Sequence, residues 1–286
     1  MSADALPVEL VDKAIKFAYN DADALTLTSC ALVCRIWGAV SRPYIFERVK
    51  IASDDRLTVL ENLVERDANV GPFIRALIVQ PSPVLTTVPS SWVGRLAKRL
   101  PSKLARLQAI RLICIFDLGE AFERGFVHEF ATFATVDRLT IDKCALNLSL
   151  VYLLAAALPG LRHLHLGVIM PVLSVLTEPL AQLHPLRLTS VGLDVGSVYP
   201  YGLRDLVSEV RAPLRSITLG VLAAPDVHAL PSFAPLAAHI GEALMRTLKE
   251  ERVLYSGPVP ESAILEKLQR ELPVIHAMGV LKVERV

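Results

Sequence analysis

Hydrophobic and polar positions follow two rhythms along this chain, and the rhythm changes near Ile51. From Leu6 to Ile51 apolar residues recur at three-and-four spacing, the mark of amphipathic helices. Leu10, Ala14, Phe17 and Ala18 share one stripe, with Val11 and Ile15 beside it. Pro7 stands at the first helical position, where a missing N–H leaves no bond unmade. Glu9 then puts a negative charge in the first turn. Asn20-Asp21-Ala22-Asp23 breaks the pattern with turn and cap residues. Asp23 is the best cap for a second helix carrying Leu25, Leu27 and Cys30. A third helix carries Val33, Cys34, Trp37 and Val40. It is expected to close at Arg42-Pro43, because the residue before proline is pushed away from helical dihedrals.

Beyond Ile51 a strand-like unit recurs, apolar-x-x-apolar-x-apolar. It stands at Ile74-x-x-Leu77-x-Val79, Leu107-x-x-Ile110-x-Leu112 and Val136-x-x-Leu139-x-Ile141. It returns at Leu161-x-x-Leu164-x-Leu166, Leu188-x-x-Val191-x-Leu193 and Leu214-x-x-Ile217-x-Leu219. The middle positions lie 33, 29, 25, 27 and 26 residues apart. A period of this order with this signature is similar to a leucine-rich-repeat array, and Cys144 ends one copy as such repeats do. The other copies lack that residue, so the array is degenerate.

Between the strands, Leu57–Ala68, Ser91–Leu104, Leu118–Phe130 and Leu148–Leu158 carry helical spacing. So do Pro171–Leu183 and Tyr201–Val210. Pro101, Pro159-Gly160, Pro185 and Pro213 punctuate them. Strand, crossover and strand again implies parallel pairing. The C-terminal part is less regular: a loop at 230–234, a helix over Pro235–Glu250, a strand at Val253–Ser256, a helix over Pro260–Leu272 and a last strand at Val280–Val286. From Ile217 to Val253 the spacing stretches to 36 residues, which reads as an atypical terminal repeat.

The pattern therefore predicts an α/β chain. Residues 1–52 form a helical domain. Residues 53–286 form a curved solenoid with a parallel sheet on its concave side and helices on its convex side, and about 231–286 serve as an irregular cap. Apolar strand positions face the core, and the residues between them face the concave surface.

Composition narrows the function. The hydrophobic fraction of 52% supports a continuous core, and the net charge of +1 favours neither nucleic acid nor an anionic membrane. The longest apolar run, Leu148–Leu158, is too short to span a bilayer and ends at Pro159. Asp4, Glu9 and Asp12 come too early for a secretory leader. Cys30, Cys34, Cys114 and Cys144 read as buried reduced thiols. The expected location is the cytoplasm, the nucleus or both.

Three short helices bury little of themselves and need a partner surface. Leu6-Pro7-x-Glu9-Leu10, Asp23-x-Leu25 and Leu32-Val33-Cys34-Arg35-x-Trp37 together resemble the F-box. The ending Arg42-Pro43-x-x-Phe46 is similar to the tail of fungal F-box-like proteins. The resemblance covers about 46 of 286 residues. It departs from the family pattern at Lys16, which splits Ile15 from Phe17, and at Ala18-Tyr19, where bulky leucines are common. It implies docking on the S-phase-kinase-associated adaptor, and through it on cullin and RING subunits. The docking face so implied is Leu6, Pro7, Leu10, Ile15, Leu25, Leu32, Val33, Cys34 and Trp37.

The chain would then be the substrate-recognition subunit of an SCF-type ubiquitin ligase, with no catalytic site and no cofactor. The alternative is a repeat scaffold that binds the adaptor without ubiquitin transfer. An unknown protein client would meet the concave face at Arg111, Arg138, Thr140, His163, His165, Ser190, Ser216 and Thr218. His163 and His165 share one strand face, but zinc needs three or four ligands; they read as polar positions on an open face. Asp137 and Asp142 flank a strand as solvating carboxylates. Neither a phosphate-binding glycine loop nor a Gly-x-Ser-x-Gly or His-Glu-x-x-His pattern occurs.

Overall fold

The computed structural model describes residues 6–20, 24–81, 92–116, 129–145, 148–167, 169–170, 186–195, 214–221, 248–255 and 258–285. It is a mixed α/β protein. Three helices open it: α1 (Val8–Asn20), α2 (Ala24–Ala31) and α3 (Arg35–Glu47). A nine-stranded parallel sheet follows, in which every neighbour in space is also the next strand of that sheet along the chain. Its members are β1 (Arg48–Ile51), β2 (Ala76–Val79), β3 (Ala109–Ile113), β4 (Arg138–Asp142) and β6 (His163–Leu166). β8 (Ser190–Val195), β9 (Ser216–Val221), β10 (Glu250–Tyr255) and β11 (Leu281–Arg285) complete it. β5 (Cys144–Ala145) and β7 (Ile169–Met170) form a separate short parallel pair.

The apolar-x-x-apolar-x-apolar units carry the sheet. Their middle residues are Cα partners in one row, Leu77↔Ile110↔Leu139↔Leu164↔Val191↔Ile217. Their last residues form a second row, Val79↔Leu112↔Ile141↔Leu166↔Leu193↔Leu219. All twelve are buried. The first residues, Ile74, Leu107, Val136, Leu161, Leu188 and Leu214, are buried ahead of the strands. Alternation along a strand sends the intervening residues to the other face.

The helices α4 (Asp54–Arg66), α5 (Trp92–Arg99), α6 (Leu148–Ala157), α7 (Glu261–Glu271) and α8 (Pro273–Ala277) join the same core as these rows. On α4 the Ser53 hydroxyl accepts from the Arg56 N–H, Asp54 and Asp55 sit in the first turn, and Leu57, Leu60 and Val64 are buried. These are the cap, the charge placement and the spacing that make an amphipathic helix. On α6 the run Leu150–Ala155 is apolar on every side and correspondingly buried. Three basic residues in and just after α5 pair with acids of α4: Arg95 with Asp54 at 2.6 Å, Arg99 with Glu61 at 3.4 Å, and Lys103 with Glu65.

Four expectations are corrected. The third helix does not close at Arg42-Pro43. It runs through Pro43 to Glu47, because packing outweighs the lost hydrogen bond: Tyr44 and Ile45 lie against the helical core and Phe46 against the sheet core. Cys34 is not on a helix face. It precedes α3 as its extended N-cap residue, without a side-chain cap bond.

The first strand, Arg48–Ile51, lies inside the stretch expected to be helical, so helix gives way to sheet at Glu47 and not at 52. The stretched spacing of 36 residues is also wrong. The partner of Ile217 is Glu251, 34 residues on, and Val253 pairs with Leu219. The helices expected over 171–183, 201–210 and most of 118–130 and 235–250 lie outside the described residues.

Candidate functional site

Two surfaces matter, and each is built from one alternation. In the helical module the buried stripe of α1 is Val11, Ile15 and Ala18, which with Leu27 of α2 make a small core. Cys30, Trp37, Val40, Tyr44 and Ile45 pack around it, half-buried. The neighbouring stripe of α1, Leu10, Ala14 and Phe17, is left in solvent. Tyr44 ties α3 to α1: its hydroxyl donates to Asp12 at 3.1 Å, and its ring meets Tyr19 at 5.4 Å between centroids. Asp12 also pairs with Lys16 at 2.9 Å. These hydrogen bonds, that from Lys16 first, hold the Asp12 carboxyl below its ordinary range. Arg42 reaches Asp67 and joins the module to the sheet body.

Of the nine residues implied for docking, Leu6, Pro7, Leu10, Leu25, Leu32 and Val33 are exposed, with Leu25 and Leu32 at 81% and 82%. Ile15 is not: it is fully buried at the centre of the module core, so it cannot meet a partner. Cys34 and Trp37 are half-buried, and the Trp37 indole N–H is enclosed without a hydrogen-bond acceptor. Val8, Phe17 and Ile36 are exposed as well, Phe17 at 70%. Phe17 shares the spacing of Leu10, so the signal for it was in the stripe.

On the sheet, the eight residues expected to meet a client fall into two adjacent rows on the face away from the core. One row is Arg138↔His163↔Ser190↔Ser216. The other is Arg111↔Thr140↔His165↔Gly192↔Thr218. All of the eight are half-buried except Arg138, which is exposed. Gly192 completes the second row, and the reason is steric: a Cβ there would collide with the His165 imidazole laid across it. Gly220 makes the same room for Asp194. His165 Nε2 and Asp194 Oδ1 are 3.9 Å apart. Burial pushes the Asp194 carboxyl up, and His165 partly offsets that.

Among the described residues no group of three or more His, Cys, Asp or Glu could hold a metal ion. No described helix is long and apolar enough to cross a membrane. Cys144 is fully buried, with its Sγ 3.3 Å from the Asp142 carbonyl and 3.5 Å from that of Leu112. Burial pushes its thiol up to about 12, so almost no nucleophilic thiolate forms at neutral pH. In the folded chain Cys144 should resist iodoacetamide at pH 8 for hours, while half-buried Cys30 is alkylated. Peptide mass spectrometry reads both, and prompt labelling of Cys144 would contradict its burial.

No protein-family model matches the chain, and no curated protein resembles it closely enough to count as a match.

Proposed function

We propose that this chain is the substrate-recognition subunit of an SCF-type ubiquitin ligase. In this reading α1 to α3 are an F-box that docks on the S-phase-kinase-associated adaptor, and the remainder is a leucine-rich-repeat-like solenoid with its strands on the concave side. The chain performs no chemistry. It holds a client near the ubiquitin-charged enzyme and so raises its effective concentration.

One observation carries the reading. Among the described residues the module's apolar core has Val11, Ile15, Ala18 and Leu27 buried, while Leu6, Val8, Leu10, Phe17, Leu25, Leu32, Val33 and Ile36 all face solvent. So many exposed large apolar side chains on three short helices and their connections exceed the scattered single ones of an ordinary surface. Apolar anchors of this kind concentrate binding energy once a partner covers them. Helices that join one core with one strand face, and a strand order that never reverses, support the solenoid part.

The test is co-expression with the adaptor followed by co-purification. Wild type should retain the adaptor. The Leu6→Ala/Pro7→Ala double variant should weaken binding at least tenfold with an unchanged melting temperature, since both residues are exposed. Ile15→Ala should instead destabilise the module by about 2–4 kcal/mol, as a truncated core residue does. Wild-type chain that purifies without the adaptor would end the proposal. Ubiquitin transfer in a reconstituted system separates the ligase subunit from a scaffold that only binds the adaptor.

A further inference from the structure

The residues just ahead of the strands form a ladder of their own. Arg75 N–H donates to the Glu47 carbonyl, Gln108 to Arg75, Asp137 to Gln108 and Arg162 to Asp137. Thr189 then donates to Arg162, Arg215 to Thr189 and Lys249 to Arg215. One edge of the sheet therefore carries Arg75, Arg162, Arg215 and Lys249 in a single line. Arg106 and Arg187 stand two residues before Gln108 and Thr189, ahead of β3 and β8. Five of these six cations are exposed, and Arg75 is half-buried. None has a carboxylate partner among the described residues.

The line also holds two acids: Asp137, whose Oδ1 lies 3.7 Å from Arg138 without a hydrogen bond, and Glu47, which interacts with the Tyr19 hydroxyl. With a net charge of +1 for the whole chain, this is a local excess. At one end of the line a cavity of about 390 Å³ opens between α3 and the turn at Gly71–Phe73. Arg75 and Arg106 line it, with Tyr44, Phe73, Pro43, Pro72 and one acid, Glu47, so cations outnumber carboxylates two to one.

We propose that this edge binds an acidic, extended peptide segment, with one carboxylate side chain seated in the cavity between Arg75 and Arg106. The proposal rests on the client-binding reading above and names the chemistry of the client. Charge complementarity selects the occupant. From Arg75 to Lys249 the line crosses six strand intervals, about 29 Å at ~4.8 Å each. An extended chain of about nine residues covers that length at ~3.3 Å per residue. Arginine presents a planar fork of donors that fits a carboxylate bidentately. The Tyr44 and Phe73 rings give the cavity an apolar wall for the methylenes of a glutamate.

The probe is a fluorescein-labelled twelve-residue peptide of alternating Glu and Ser, read by fluorescence anisotropy against the full chain at low salt. Wild type should bind it, and affinity should fall at least tenfold as salt rises, because exposed charges are screened within ~10 Å at 0.1 M. Arg162→Glu/Arg215→Glu should weaken binding at least tenfold, and Arg106→Glu should weaken it as well. Lys13→Glu, an exposed reversal on α1, should leave it unchanged, and a Lys-Ser peptide should not bind. Three results overturn the proposal: no binding by wild type, equal binding by the double reversal, or tighter binding of an oligothymidine of equal charge. Adaptor co-purification of the same variants is a separate readout. Loss of the peptide with the adaptor retained, or the reverse, tells the two proposals apart.

Discussion

Replacing Glu251 with leucine should stabilise the protein by about 3 kcal/mol at pH 8 and by far less at pH 5. Glu251 occupies a place in the apolar row that runs from Ile217 of β9 to Leu281 of β11. It is fully buried, and both carboxylate oxygens lack a hydrogen-bond partner. Its backbone is satisfied, with the N–H donating to Val280 at 2.9 Å. Desolvation pushes the carboxyl up from 4.5 to about 7. The folded state therefore holds its proton more tightly than the unfolded chain does.

The sign follows. Below about pH 4.5 both states are protonated and the group is neutral in its effect. As pH rises through the window to about 7 the unfolded chain ionises first, and folding loses stability. Above about 7 the full penalty stands, and 2.5 pH units at 1.36 kcal/mol each make it about 3 kcal/mol. Leucine removes that penalty and fills the row, whereas glutamine keeps a buried polar group without partners and should recover less. Urea unfolding at pH 5 and pH 8 measures the difference. A gain of equal size at both pH values would mean that the carboxyl is not titrating in the core.

Leu139→Ala should cost about 3 kcal/mol, while Thr140→Ala next to it should change stability by less than about 0.5 kcal/mol. Leu139 stands mid-row between Ile110 and Leu164 and is buried. Thr140 stands between Arg111 and His165 on the other face. Adjacent residues on a strand point to opposite sides, and a slip of one residue would exchange them. Chemical unfolding of the two variants thus tests which face is open to a client. Comparable losses in both would place Thr140 in a core and remove the open face from the client surface.

Most of the sheet was legible because its signal is local and repeated. A strand buried on one face must alternate, and six units with the same three apolar positions leave one consistent register. The middle residues of all six units are partners in space. The two outward-facing rows followed from the same alternation. The flanking strands were legible too, once the register is known. Phe46-x-x-Val49-x-Ile51 precedes Leu77 by a normal interval, 28 residues from Val49, and Leu248-x-x-Glu251-x-Val253 follows Ile217. The first was hidden because the stretch to Ile51 reads as part of the helical module, with Phe46 as its tail. The second was hidden because a carboxylate stands where the pattern asks for an apolar residue.

By itself the sequence determined which residues alternate, and so which rows face the core and which face outward. It also showed helical spacing from Leu6 onward and strand-like units beyond Ile51, although Arg48–Ile51 is already a strand. Only the tertiary structure decided which of two adjacent stripes on α1 closes the module core. Leu10 and Val11 are equally apolar, and helical spacing alone cannot say which meets α2 and α3. Packing chose Val11, Ile15 and Ala18, which sealed Ile15 away and left Leu10 and Phe17 exposed. The line of cations ahead of the strands is of the same kind. Arg75, Arg162, Arg215 and Lys249 are scattered through the chain, and only pairing between strands sets them side by side.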